Sequence, residues 1–195
     1  MSRCPDARIC EGVFENVFKT EGIVDKVNFD LGFIASPDKS SPLGLKCKHG
    51  PLECIGNAHQ LCLQQHLPLE TFYAVLSCMD FTTPFPDQIG SLELTKHCAE
   101  IAGVNWDESG VGRCIEGKKG KLGKEAKRAL WLNAKRTRET GVERSCTIEI
   151  QSTIVREKKR VCVVDGGVWT GCDDGHTAAD FVRVIEDEYK NLHSR

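Results

Sequence analysis

The chain has 195 residues, a formal net charge of −2 and 11 cysteines. That length suits one domain with a sizeable core, or a small core carrying an inserted subdomain. The near-neutral charge excludes a global field that would gather nucleic acid or a membrane surface, and no apolar run reaches the ~18–20 residues of a membrane span. The Lys/Arg-dense stretch from Lys118 to Arg138 is read as the solvated face of a helix.

In chain order, residues 5–19 are predicted helical. Pro5 suits the first helical position, and Ile9, Val13 and Val17 with Phe14 and Phe18 recur at helical spacing. VDKVNFDLGFIAS (24–36) alternates Val27, Phe29, Leu31 and Phe33 against Asn28, Asp30 and Gly32, which predicts a strand. SPDKSSPLG is a loop. From Cys54 to about Asp107 the pattern is helical, in three segments, with TTPFPDQIG separating the second from the third. A fourth helix is predicted over about Lys124–Thr140. CTIEIQSTIV (146–155) and KRVCVVDGG (159–167) are β-rich with DGG as a turn, and VWTGC adds a further strand. HTAADFVRVIEDEYKNL is a closing helix with Thr177 as its cap and Phe181, Ile185 and Tyr189 on one side. With one strand placed in front, this order becomes β-α-β, helical insert, α-β-β-α. The fold class expected is therefore α/β, a thioredoxin-like fold with an insertion.

CKHGPLECIGNAHQLC, from Cys47 to Cys62, resembles the signature C-Q-H-G-x-x-E-C-x-x-N-x-x-x-x-C of the gamma-interferon-inducible lysosomal thiol reductase family. Cys47, His49, Gly50, Glu53, Cys54, Asn57 and Cys62 match, and Lys48 replaces the usual Gln. LSCMD (Cys78), KHCAE (Cys98), GRCIEG (Cys114) and the stretch Asn133–Thr137 follow in the family's order. The resemblance implies a single thioredoxin-like domain over 1–195, with a disulfide-rich helical insert about 47–120. It also implies thiol–disulfide oxidoreductase chemistry on disulfide-containing proteins, in the secretory pathway, a lysosome or vacuole, or outside the cell.

The active segment departs from the family. The usual C-x-x-C reads Cys4-Pro5-Asp6-Ala7, so Cys4 maps to the nucleophile and Ala7 replaces the resolving cysteine. The family carries a strand before that cysteine. MSRCPDARIC has no basic n-region and no apolar h-region, whereas the cysteine density argues for an oxidising compartment. A start at an internal methionine, with signal peptide and first strand upstream, reconciles these; an intracellular protein with reduced thiols is the rival. Thiol–disulfide exchange needs a thiolate. A helix N-terminus can lower a cysteine pKa from ~8.5 to between ~3.5 and ~7.5; Asp6 in the first turn opposes this and Arg8 counters it.

A second thiol must then release the substrate. Cys10 is near in sequence, but six helical residues rise ~9 Å, while disulfide Cα atoms lie ~4.4–6.8 Å apart. Cys10 is thus expected as a buried residue or half of a structural bridge, resolving Cys4 only if the first turn unwinds. Cys146, in SCT (145–147), stands where thioredoxin-like folds place a cis-proline facing the active site, so a Cys4–Cys146 redox pair is expected. A small thiol such as glutathione is a third resolver. Cys47, Cys54, Cys62, Cys78, Cys98 and Cys114 form three structural bridges of open connectivity, and Cys162 and Cys172 can pair across the DGG turn. Zinc on Cys47, His49, Cys54 and Cys62 is disfavoured by their spacing, so no metal or other cofactor is expected. His49 is read as structural, and His59, His66, His97, His176 and His193 have no constellation around them. The alternative function is a catalytically degenerate secreted member of the family with a binding or structural role, its redox cycling ended by Ala7.

Overall fold

The computed structural model describes residues 1–152 and 159–193. It is a mixture of helices and two small antiparallel sheets, and it divides into two compact units. The first comprises Met1–Cys4 and Asp30–Glu143, and the second Pro5–Phe29 and Arg144–Arg195. The helical insert expected at about 47–120 falls inside the first.

In the first unit, β1 (Ala35–Pro37) and β2 (Leu45–Cys47) pair antiparallel, and helices α2 (Pro51–His66), α3 (Leu69–Phe81), α4 (Leu92–Ile101), α5 (Val111–Ile115) and α6 (Lys124–Glu139) follow. (α1 belongs to the second unit.) α2 is the hub. It buries a continuous run from Gly56 to Leu63 and packs against β2, α3, α5 and α6. Its start is set by Gly50, whose φ of 89° suits only glycine comfortably, followed by Pro51 with no N–H to lose. Its end is set by Leu67, which precedes Pro68 and is extended. Ser91 caps α4, its hydroxyl accepting from the Leu94 amide at 3.2 Å.

The strand expected over 24–36 is not formed as such. Val24–Lys26 is a 3₁₀ turn, and only the last residues enter a strand, β1. The alternation survives, since Phe33 and Ala35 are buried and Gly32 is exposed. The hydrogen-bond partners differ from those of a ladder. Phe33 donates its N–H to Asn133 Oδ1 at 2.8 Å, and the Leu31 carbonyl accepts from Asn133 Nδ2 at 2.6 Å. A helix side chain on α6 thus takes the place of a neighbouring strand. Gly32 allows the close approach, because a Cβ there would lie 3.1 Å from Thr137 Oγ1.

In the second unit, α1 (Pro5–Phe18) and α7 (Ala178–His193) pack with a three-stranded sheet of order β3 (Thr147–Gln151), β4 (Lys159–Asp165), β5 (Val168–Thr170). Ile148 pairs with Cys162 across β3–β4. The β4–β5 turn is Gly166–Gly167, with φ of 60° and 79°. Residues 153–155, expected to continue the first of these strands, lie outside the described residues. The inward face of α1 is Ala7, Cys10, Val17 and Phe18, and the Phe14 ring lies tilted against Phe181 with centroids 4.9 Å apart. Ile9, expected inward, is 38 % exposed, because the buried stripe runs one residue ahead of it. α7 opens with a reciprocal box: Asp180 N–H donates to Thr177 Oγ1 at 3.2 Å, and Thr177 N–H to Asp180 Oδ2 at 3.0 Å. Those bonds from Thr177 hold the Asp180 carboxyl below its usual range.

Two predictions follow from packing in the first unit. Asn133→Ala leaves the Phe33 amide without its side-chain partner, while the Leu31 carbonyl keeps the longer bond from Arg136 Nη2 at 3.4 Å, and should cost about 1–3 kcal/mol in denaturant unfolding of the oxidised protein. His59, 3 % exposed on α2 with Nδ1 2.8 Å from Thr95 Oγ1, is pushed from 6.5 down to about 4 by burial. The folded state therefore keeps it neutral while the unfolded chain protonates near pH 6.5. Its contribution is complete above pH 6.5 and is lost as pH falls to 4, by about 3 kcal/mol at most. Unfolding free energies measured across that window should fall less steeply in His59→Gln.

Candidate functional site

Cys4 is the cysteine left outside the five disulfides, and it is buried. It ends a short turn, its amide donating to the Met1 carbonyl at 3.0 Å, and Pro5 behind it begins α1. What fixes the turn is α2. Ser2 donates its N–H to Asn57 Oδ1 at 2.8 Å and its hydroxyl to the Glu53 carbonyl at 3.1 Å. Arg3 Nη1 donates to the Ile89 carbonyl at 3.1 Å. Gly56 makes room, since a Cβ on it would sit 2.5 Å from Ser2 Oγ and 2.8 Å from Ile89 Cγ2.

The motif residues of α2 hold one another in the same way. Cys47 and Cys54 are bonded, with Cα atoms 5.6 Å apart. Asn57 Nδ2 reaches Cys47 Sγ at 3.8 Å, so one amide side chain faces both the disulfide and the Ser2 backbone. The Glu53 side chain is fully buried; its carboxylate accepts from the His49 amide at 3.3 Å and lies 2.5 Å from His49 Nδ1. A buried carboxylate costs free energy unless its oxygens are met in this way. His49 thus pairs with Glu53, and the four residues Cys47, His49, Cys54 and Cys62 are divided between the Cys47–Cys54 bond, the His49–Glu53 pair and the Cys62–Cys114 bond. Cys78 is bonded to Cys98.

In the second unit Cys146 is bonded to Cys10, their Cα atoms 6.4 Å apart. This corrects the expected Cys4–Cys146 pair. Cys10 lies on the buried stripe of α1, within disulfide reach of Cys146, and so takes that sulfur. The peptide bond before Cys146 is cis. Asp6, weighed from sequence as a charge opposing a thiolate, has its carboxylate committed elsewhere: Gly166 and Gly167 donate their amides to it at 3.0 and 2.8 Å. Cys162 and Cys172 are bonded across the hairpin, with Cα atoms 4.4 Å apart.

Sequence reasoning did not find Ser2, Gly56 and Asn57 as the elements that position the Cys4 turn. Asn57 stood in the motif without a stated role, and Gly56 in mid-helix was the available signal, because glycine there costs stability unless another backbone or side chain comes close. Asn57→Ala removes one anchor of about 1–3 kcal/mol. It should raise the rate at which Cys4 is alkylated in the folded, oxidised protein by about fivefold or more, with all five disulfides intact by mass.

A family model described as Gamma interferon inducible lysosomal thiol reductase (GILT) matches residues 1–102, which hold Cys4, the turn that carries it and the whole Cys47–Cys62 motif. No curated protein and no solved structure gave a significant match.

Proposed function

The chain belongs to the gamma interferon inducible lysosomal thiol reductase family, and on that premise we propose that it is a thiol–disulfide oxidoreductase that opens disulfides of protein substrates through Cys4. One observation carries this reading: the cysteine at the family's nucleophile position is the one outside the five disulfides, on a turn held by the family's own motif residues.

The chemistry proposed is one-thiol exchange. Cys4 thiolate attacks a substrate disulfide, forms a mixed disulfide and expels one substrate thiolate. A small thiol of the glutathione class then attacks the Cys4 sulfur and releases the second substrate thiol. A further small thiol clears Cys4 and leaves as the oxidised small-molecule disulfide, so that two electrons pass from two small thiols to one substrate disulfide. The external thiol is needed because Ala7 stands at the resolving position and Cys146 is engaged by Cys10. The β3–β4–β5 sheet with α1 and α7 packed in the same unit supports a thioredoxin-like reading of the fold, with the helical insert about 47–120. The five disulfides and the family support a secretory-pathway or lysosomal setting, and no helix among the described residues is long and apolar enough to cross a membrane.

The second reading, a catalytically degenerate member with a binding or structural role, is favoured by Ala7. Reduction of a protein disulfide driven by glutathione, at acidic and neutral pH, separates the two. Wild type should turn over, Cys4→Ser should fall to background, and the Cys10→Ser/Cys146→Ser double variant should keep turning over. Ala7→Cys, by restoring C-x-x-C, should raise turnover with a dithiol reductant. If Cys4→Ser leaves the rate unchanged, the nucleophile assignment is wrong. If wild type is inert and Ala7→Cys is active, the degenerate reading replaces the enzymatic one.

A further inference from the structure

The Cys62–Cys114 disulfide has two further donor side chains beside it. Cys62 and His66 are one helical turn apart near the end of α2, so they share a face. Cys114 comes from α5 and Glu125 from the first turn of α6. A nitrogen of His66, Cys114 Sγ and a Glu125 oxygen all lie within 4.8 Å of one another, and Cys62 Sγ is bonded to Cys114 Sγ. Glu125 Oε1 accepts from Gln65 Nε2 at 2.9 Å and lies 3.4 Å from His66 Nε2, so the carboxylate is turned towards the histidine. Gly110, with φ of 87°, leaves space for the ring, because a Cβ there would sit 2.8 Å from His66 Nδ1. His66, read from sequence as a histidine with no constellation around it, has one.

We propose that this cluster is a redox-gated zinc site, closed to metal as the disulfide and open as the dithiol. In the oxidised state the two sulfurs are bonded and uncharged and make poor ligands. A dithiol or small-thiol reductant passes two electrons and two protons to the bond, giving Cys62 and Cys114 thiols and an oxidised reductant. Zinc then displaces both thiol protons to solvent and takes two thiolates, the His66 nitrogen and a Glu125 oxygen, a four-donor set of the kind zinc accepts in tetrahedral sites. With Zn–S near ~2.3 Å and Zn–N and Zn–O near ~2.0–2.2 Å, tetrahedral ligand atoms lie roughly 3.3–3.8 Å apart. The observed cluster needs a contraction of about 1 Å in side chains at the last turn of α2, on α5 and at the first turn of α6, and the two sulfurs move apart once their bond is broken. The sulfurs are buried, whereas His66 and Glu125 have side chains 23 % and 45 % exposed, which gives the ion its way in. The proposal is independent of Cys4 and of the thiol-reductase reading.

The test uses thermodynamic linkage in the full chain. A metal that binds only the dithiol shifts the disulfide equilibrium towards reduction by a factor of about 1 + [Zn]/Kd, or about a hundredfold at 100 times Kd. The protein is equilibrated in a glutathione redox buffer with and without Zn²⁺, quenched with paired isotopic alkylating reagents, and each cysteine is read by mass spectrometry. The reduced fraction of Cys62 and Cys114 should rise at least tenfold with zinc, while Cys78 and Cys98 stay unchanged as an internal reference. The double variant His66→Ala/Glu125→Gln should lose that shift. Co²⁺ added to the reduced protein should give visible bands of a tetrahedral ion and a thiolate charge-transfer band, both lost in the same variant. The proposal is overturned if zinc leaves the Cys62–Cys114 pair unchanged, if it raises every pair equally, or if the variant keeps the full shift.

Discussion

The hydrogen bond from the Ser2 amide to Asn57 Oδ1, with the serine hydroxyl on the Glu53 carbonyl beside it, decides where the first four residues lie. These two bonds tie the segment down. Here the tie is made to α2, the helix against which β2, α3, α5 and α6 pack. It requires a glycine at position 56, because any side chain there would occupy the volume of Ser2 and Ile89. The consequence is that Met1, Ser2 and Cys4 are buried. Asn57 spends its oxygen on Ser2 and its nitrogen on the sulfur of Cys47, so the disulfide at the start of α2 and the turn carrying Cys4 share one side chain. Two residues of the motif hold that turn in this chain, Asn57 through its side chain and Glu53 through its carbonyl.

The disulfides extend the same logic. Two of the three in the first unit involve α2 directly, at Cys54 and Cys62, and the third ties α3 to α4. Each removes chain entropy from the unfolded state, the 52-residue Cys62–Cys114 separation more than the 7-residue Cys47–Cys54 one. They act against a liability in the same helix. His59 is neutral and buried, and a protein carrying such a group loses stability in acid. Cross-links that do not titrate offset that loss. In the second unit the Cys10–Cys146 bond joins α1 to the start of β3 over 136 positions of sequence, and Asp6 ties the first turn of α1 to the β4–β5 turn. The sulfur at 146 therefore has a partner in the helix behind Cys4, not Cys4 itself.

Much of the local structure could be read from the residues. The helical period in 51–66, 69–81, 92–101 and 124–139 was legible because amphipathic spacing is a property of neighbouring residues, and Pro51, Pro68 and the prolines of TTPFPDQIG mark the boundaries. The Gly166–Gly167 turn and the Thr177 cap were legible for the same reason. The segment 24–36 was misread because alternation reports which side of an extended chain is buried, not what its backbone bonds to. Asn133, a hundred residues away, supplied the partner that a strand would have supplied. Ile9 was placed on the wrong side of α1 because two apolar stripes overlap there and only packing selects one.

The sequence by itself determined the family, the local elements and the list of sulfur atoms, since each of these depends on residue identity and short-range spacing. Cys162–Cys172 across its hairpin apart, which sulfurs are joined and which one is left over was decided by tertiary structure. Pairing requires Cα atoms within several ångströms, and spacing along the chain carries no information about that distance once the intervening residues fold. Cys10 and Cys146 met because one lies on the buried stripe of a helix and the other at the start of a strand in the same unit. His66, Cys114 and Glu125 met because the last turn of α2, the short helix α5 and the first turn of α6 come together. Neither meeting is written in any local pattern.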